Sequence, residues 1–171
     1  PAEVVGLSDV VAVATGFYHT CAVTKLGQYT CWGRNEVGQL RPANPKDAVA
    51  DKDDVAHPLP EPSYDTVPVQ AIVAGDFHTC VISKQEGVKC FGSNEAGQLG
   101  SADKKALVAT PVPYGATYPV AFATTLAEES THVIMSDGSV LAWGWNGSAC
   151  QLGAGILDDK VFSPTKVADL T

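Results

Sequence analysis

The chain has 171 residues, 45% of them hydrophobic and 18% charged, which supplies a sizeable core and argues against disorder. Gly and Pro total 16 + 11 = 27, a mix that suits many short strands joined by turns better than long helices. A net charge of −8 with 11 Lys+Arg gives no basic face for nucleic acid, and no apolar run reaches the roughly 20 residues of a membrane helix.

In chain order, Val10 to Ala14 is a short β-branched run that reads as an inner strand. Cys21-Ala22-Val23 begins a second strand, Lys25-Leu26-Gly27 a turn, and Gln28 to Trp32 a return strand closed by Gly33. Arg41 to Pro68 differs. It carries six prolines (Pro42, Pro45, Pro58, Pro60, Pro62, Pro68) and the acidic run Asp51-Lys52-Asp53-Asp54, and it reads as a long surface excursion. Lys46 to Val55 has room for a helical turn or two. Val69 to Ala74, Cys80 to Ile82 and Val88 to Phe91 then repeat the strand pattern around a turn at Gln85-Glu86-Gly87. Asp137-Gly138 is a hairpin signal, followed by a return strand over Ser139 to Trp143. Three units follow: 1–68 with its insert 41–68, then 69–118, then a degenerate 119–171.

The units are copies. The separations 78 − 19, 80 − 21, 90 − 31, 94 − 35 and 98 − 39 all equal 59. The third copy lies 52 residues after the second as far as Asn146, and 53 beyond it. Pro1, Val4 and Leu7 match Pro164, Val167 and Leu170 at one shift, 163, so the sequence reads as a slice of a longer array whose N-terminus at Pro1 is a cut. Gly16-Phe17-Tyr18-His19-Thr20-Cys21, then Cys31-Trp32-Gly33-Arg34-Asn35-Glu36-Val37-Gly38-Gln39-Leu40, resembles the regulator of chromosome condensation repeat family. The second copy has Phe91 for the Trp. The third lacks Gly-x-x-His and carries Ala149-Cys150 in place of a glycine. The resemblance implies an all-β fold of four-stranded antiparallel propeller blades, usually seven in a ring, used mostly as a binding platform. Three units cannot close such a ring, so further blades, from this chain or another, are expected.

Cys21 and Cys31 are ten apart and symmetric about Leu26; Cys80 and Cys90 are likewise symmetric about Gln85. Residues equidistant from an antiparallel turn face each other, within reach of a disulfide. The third copy has His132 and Ala142 at these places, so both cysteines are lost together, as a bond requires. Cys21–Cys31 and Cys80–Cys90 are therefore expected as disulfides, each stabilising by about 2–3 kcal/mol. They imply an oxidising setting: extracellular, cell-surface or secretory lumen. Cys150 is left unpaired. A metal site on His19, Cys21 and Cys31 is disfavoured, because alternate strand residues diverge and no second ligand pair completes a set.

His19 and His78 recur at one place and read as structural hydrogen-bonders; Asn35, Asn94, Gln39 and Gln98 read as groups satisfying turn backbone. Asn146-Gly147-Ser148 is a glycosylation sequon, which in a secreted protein marks an acceptor. No nucleophile elbow, phosphate loop or zinc motif is present, and Asp51, Asp53 and Asp54 lack calcium-loop spacing. The expectation is a non-catalytic, cofactor-free module that binds a protein or glycan, with Asp51, Asp53, Asp54 and Tyr64 as a partner loop. Two other roles fit: an assembly unit of an extracellular filament or coat, and an inhibitor of a secreted enzyme.

Overall fold

The computed structural model describes residues 3–40, 56, 58, 67–104, 108–112, 116–123, 129–147 and 149–168. These form three antiparallel sheets and no helix. The first is β1 (Val10–Thr15), β2 (His19–Thr24) and β3 (Tyr29–Gly33), paired in that order. The second is β4 (Val69–Ala74), β5 (His78–Ser83), β6 (Gly87–Gly92) and β7 (Val108–Val112); the third is β8 (Pro119–Phe122), β9 (Ser130–Met135), β10 (Val140–Trp145) and β11 (Lys160–Lys166). Each strand pairs with its neighbour in sequence, so each sheet is a meander. The first strands β1, β4 and β8 follow one another in space. The helical turn expected over 46–55 lies outside the described residues.

β7 and β11 each contain a proline, Pro111 and Pro164, which lowers their strand signal in the sequence. Both strands lie at a sheet edge, and register slips beside each proline: Val88 pairs Val112 but Cys90 pairs Ala109, and Ala142 pairs Thr165 but Gly144 pairs Val161. A bulged edge strand can lack an N–H without breaking the ladder.

The sheets stack face to face, and the core lies between them. Val23, Tyr29, Leu40, Val81 and Phe91 fill the first interface; Ile82, Leu99, Val133, Met135 and Trp143 fill the second. Each large apolar side chain so buried contributes about 1.5–3 kcal/mol. Every residue of β5 is buried, because the middle sheet is covered on both faces.

Hydrogen bonds cross the same interfaces in a repeated pattern. The Thr79 hydroxyl donates to the Gln39 carbonyl at 2.7 Å and so accepts from His19 Nε2 at 2.8 Å. One blade later, Thr131 donates to the Gln98 carbonyl at 3.0 Å and accepts from His78 Nε2 at 3.0 Å. Each histidine reaches forward to the next blade; each threonine reaches back. Trp143 Nε1 adds a second donor to Gln98 at 2.9 Å, which Phe91 cannot offer Gln39. A threonine that spends its proton on a carbonyl needs the imidazole N–H at Nε2, leaving Nδ1 as an acceptor. Both Nδ1 atoms are buried without a hydrogen-bond partner among the described residues. Burial therefore holds both rings neutral: it lowers His19 to about 4, and it lowers His78 to about 3 with help from nearby His19. Gly16 makes room for this arrangement, since a Cβ there would sit 2.5 Å from His19 Cε1 and 2.2 Å from the Gly75 carbonyl.

These histidines make the fold acid-sensitive. Unfolded, they bind protons below about pH 6.5; folded, only near 4 and 3. Stability should be complete above pH 6.5, fall by about 1.4 kcal/mol per pH unit for each histidine below it, and level off under the folded values. Urea midpoints at pH 7 and pH 5 check this: the wild type should lose more than His78→Gln, and equal losses would assign the acid sensitivity elsewhere. Cys150 holds φ at +53° where the second copy has Gly97 at +86°. Cys150→Gly should raise stability by about 1 kcal/mol in a thermal melt, by relieving the left-handed backbone; no rise would show that the side chain offsets the strain.

Candidate binding surface

The repeat fixes one loop end of each blade through its backbone. Gly33, Gly92 and Gly144 have φ of +108°, +112° and +103°. A Cβ on them would meet the carbonyl oxygens of Tyr18, Phe77 and Glu129 at 2.4, 2.5 and 2.3 Å. The same carbonyls accept from Arg34, Ser93 and Trp145 N–H at 2.9, 2.9 and 2.8 Å. This close approach explains the glycine after each repeat aromatic, Trp32, Phe91 and Trp143. It also anchors Tyr18, Phe77 and Glu129, the residues that precede His19, His78 and Ser130. The following turn is held by side chains: Asn35 Oδ1 accepts from Leu40 N–H at 3.1 Å and Asn94 Oδ1 from Leu99 N–H at 3.0 Å. Gln39 and Gln98 accept from Val37 and Ala96 N–H at 3.1 and 2.9 Å.

Tyr18, Phe77 and Glu129 thus occupy equivalent places in successive blades, since 77 − 18 = 59 and 129 − 77 = 52. Their identities are not repeated, whereas the glycines that pack on their carbonyls, Gly33, Gly92 and Gly144, are. Tyr18 is 50% exposed and stands edge-on to Phe17, itself 58% exposed, with ring centroids 4.4 Å apart. Phe77 follows 6.4 Å from Tyr18. The Arg34 guanidinium lies 5.0 Å over Tyr18 and 6.0 Å from Phe77, and is paired with Glu36. At the far end Lys160 donates to the Glu95 carbonyl at 3.1 Å and stands 5.7 Å from the Trp145 ring. Burial raises the Glu129 carboxyl above its usual range; Lys160 opposes this, while Asp76 and Glu95 reinforce it. Among the described residues no cluster of His, Cys, Asp or Glu could hold a metal ion. The end of the blades offers aromatic faces at one side and carboxylates at the other.

The residues singled out from the sequence fall elsewhere. Cys21 opposes Cys31 and Cys80 opposes Cys90, at S–S distances of 2.05 and 2.07 Å, in the middle of their hairpins. Their Cα separations of 4.0 and 4.1 Å are below the usual disulfide range, as suits a non-hydrogen-bonded antiparallel pair, where Cα atoms lie near 4.5 Å. His132 opposes Ala142 in the same register. Cys150 is a half-buried free thiol. Asn146 requires a correction. It is 1% exposed, accepts from Leu152 N–H at 3.1 Å, and donates through Nδ2 to the Ile156 and Asp158 carbonyls at 2.8 and 2.9 Å. The atom that would carry a glycan is committed to the turn, so the folded chain presents no acceptor there. Asp51, Asp53, Asp54 and Tyr64 lie outside the described residues. The row at Tyr18, Phe77 and Glu129 was missed, because both x positions of Gly16-Phe17-Tyr18-His19 and Gly75-Asp76-Phe77-His78 differ between copies and the third copy lacks the motif.

A family model described as the regulator of chromosome condensation (RCC1) repeat matches residues 10–39 and 69–98. The chain is 31% identical over 162 residues to the human "Probable E3 ubiquitin-protein ligase HERC3", covering 94% of this chain and 15% of that protein. It is 29% identical over 173 residues to the "RCC1 domain-containing protein RUG3, mitochondrial" of Arabidopsis thaliana, covering 100% of this chain and 37% of that one. The chain thus spans well under half the length of either relative. Its backbone matches the crystal structure of Prp20p from Saccharomyces cerevisiae, a yeast RCC1, with a TM-score of 0.71 at 23% identity, over 96% of this chain and 40% of that one. The sheets are propeller blades, two of them recognised by the repeat model and the third by its register, and the chain belongs to the regulator of chromosome condensation repeat family.

Proposed function

We propose that the chain is a non-catalytic platform for a protein partner, held on the loop end where Tyr18, Phe77 and Glu129 stand, and that it works outside the cell or in a secretory lumen. The observation that carries the first part is a contrast between positions. The threonine-to-carbonyl bonds that join blade to blade repeat, while Tyr18, Phe77 and Glu129 are anchored identically and differ in side chain. A position held rigid but varied in side chain suits recognition better than folding. Exposed, ordered aromatics with a stacked arginine are the side chains that dominate protein interfaces. The structurally similar Prp20p is described as binding Gsp1p and histones, and as bound to Kap60. The acidic balance, −8, weighs against nucleic acid as the partner here. The oxidising setting rests on the two cysteine pairs, which are present together or absent together and lie at bonding distance.

Two measurements test the two parts. The immobilised chain should retain a protein from extracts of its own source, and Phe17→Ser/Tyr18→Ser should retain at least tenfold less with an unchanged thermal midpoint; equal retention would remove this surface. Alkylation of unreduced protein unfolded in urea should modify one thiol, Cys150, because the other four cysteines are 0% exposed when folded and must be opened to the reagent; five modified thiols would remove the oxidising setting.

A further inference from the structure

We infer that the row formed by Tyr18, Phe77 and Glu129 receives an extended protein segment that lays apolar side chains on Tyr18 and Phe77 and a lysine or arginine on Glu129. This rests on the platform reading above and names the chemistry of its partner. The ring centroids of Tyr18 and Phe77 are 6.4 Å apart, close to the roughly 6.5–7 Å between alternate side chains of an extended chain. A segment lying along the row therefore meets successive blades with every second residue.

Charge sets which end takes the cation. Arg34 lies over Tyr18 and already holds Glu36, so a second cation is disfavoured at that end. Glu129 is half-buried and makes no ion pair among the described residues; burial raises its carboxyl, Lys160 opposes this, and Asp76 and Glu95 reinforce it. Lys160 is directed instead to the Glu95 carbonyl and the Trp145 ring. A carboxylate that is partly desolvated is relieved when a cation forms an ion pair with it. A partner with an acidic segment would meet the opposite balance and an overall charge of −8.

The test titrates fluorescein-labelled Leu-Ser-Leu-Ser-Lys, and its counterpart ending in Glu, against the whole chain at low salt. Glu129→Gln keeps the side-chain shape and removes the charge. Glu86→Gln removes an exposed charge at the opposite end of the middle blade. The lysine peptide should bind, should weaken at least tenfold in Glu129→Gln and less than twofold in Glu86→Gln, and should outbind the glutamate peptide at least tenfold. Equal losses in the two variants would reduce the effect to net charge and overturn the inference. So would equal affinity for both peptides, or no binding at millimolar peptide. The platform reading is judged separately: retention of a protein partner that depends on Phe17 and Tyr18 would leave it standing even if the lysine peptide fails.

Discussion

The structure depends on a backbone carbonyl at the blade junction that finds its donor in the next blade. Gln39 and Gln98 end their turns with C=O groups inside the protein, and Thr79 and Thr131 supply the hydroxyl protons. An unsatisfied buried carbonyl would cost on the order of 1–3 kcal/mol. The bond therefore sets the register between blades as well as adding to their adhesion. The histidine completes the circuit by donating to the hydroxyl, which is why histidine and threonine adjoin in the motif although they serve different neighbours. Apolar packing alone is non-directional and would tolerate sliding; these bonds do not.

Much of this was legible in the sequence, because a fixed blade geometry demands fixed residues at fixed spacing. The 59-residue repeat of His, Cys, Asn and Gln located the hairpins and put each cysteine opposite its partner. Asn35 and Asn94 were readable as turn-holders because their place in the motif never changed. Two things were not legible. The edge strands around Pro111 and Pro164 were hidden because proline argues against a strand unless the edge position is already known. The exposed row was hidden because a search for repetition passes over positions that vary.

The sequon at Asn146 shows a different limit. A three-residue pattern records which groups are present but not what they are bonded to. In this fold the same asparagine that satisfies the pattern is the turn-holder of the third blade, equivalent to Asn35 and Asn94. The repeat alignment carried that information, and it outweighs the triplet because burial of an amide with all its bonds made leaves nothing to modify.

The exchange of tryptophan for phenylalanine at position 91 makes the two junctions unequal. The Gln98 carbonyl is gripped by both Thr131 and Trp143, whereas among the described residues Gln39 is gripped by Thr79 alone. The first junction makes up for this elsewhere: the Tyr29 ring stacks on Phe91 with centroids 6.1 Å apart, and Val69 N–H donates to the Gly27 carbonyl at 2.9 Å. The two seams thus adhere by different chemistry, the later one by an added indole donor and the earlier one by ring stacking and a main-chain bond.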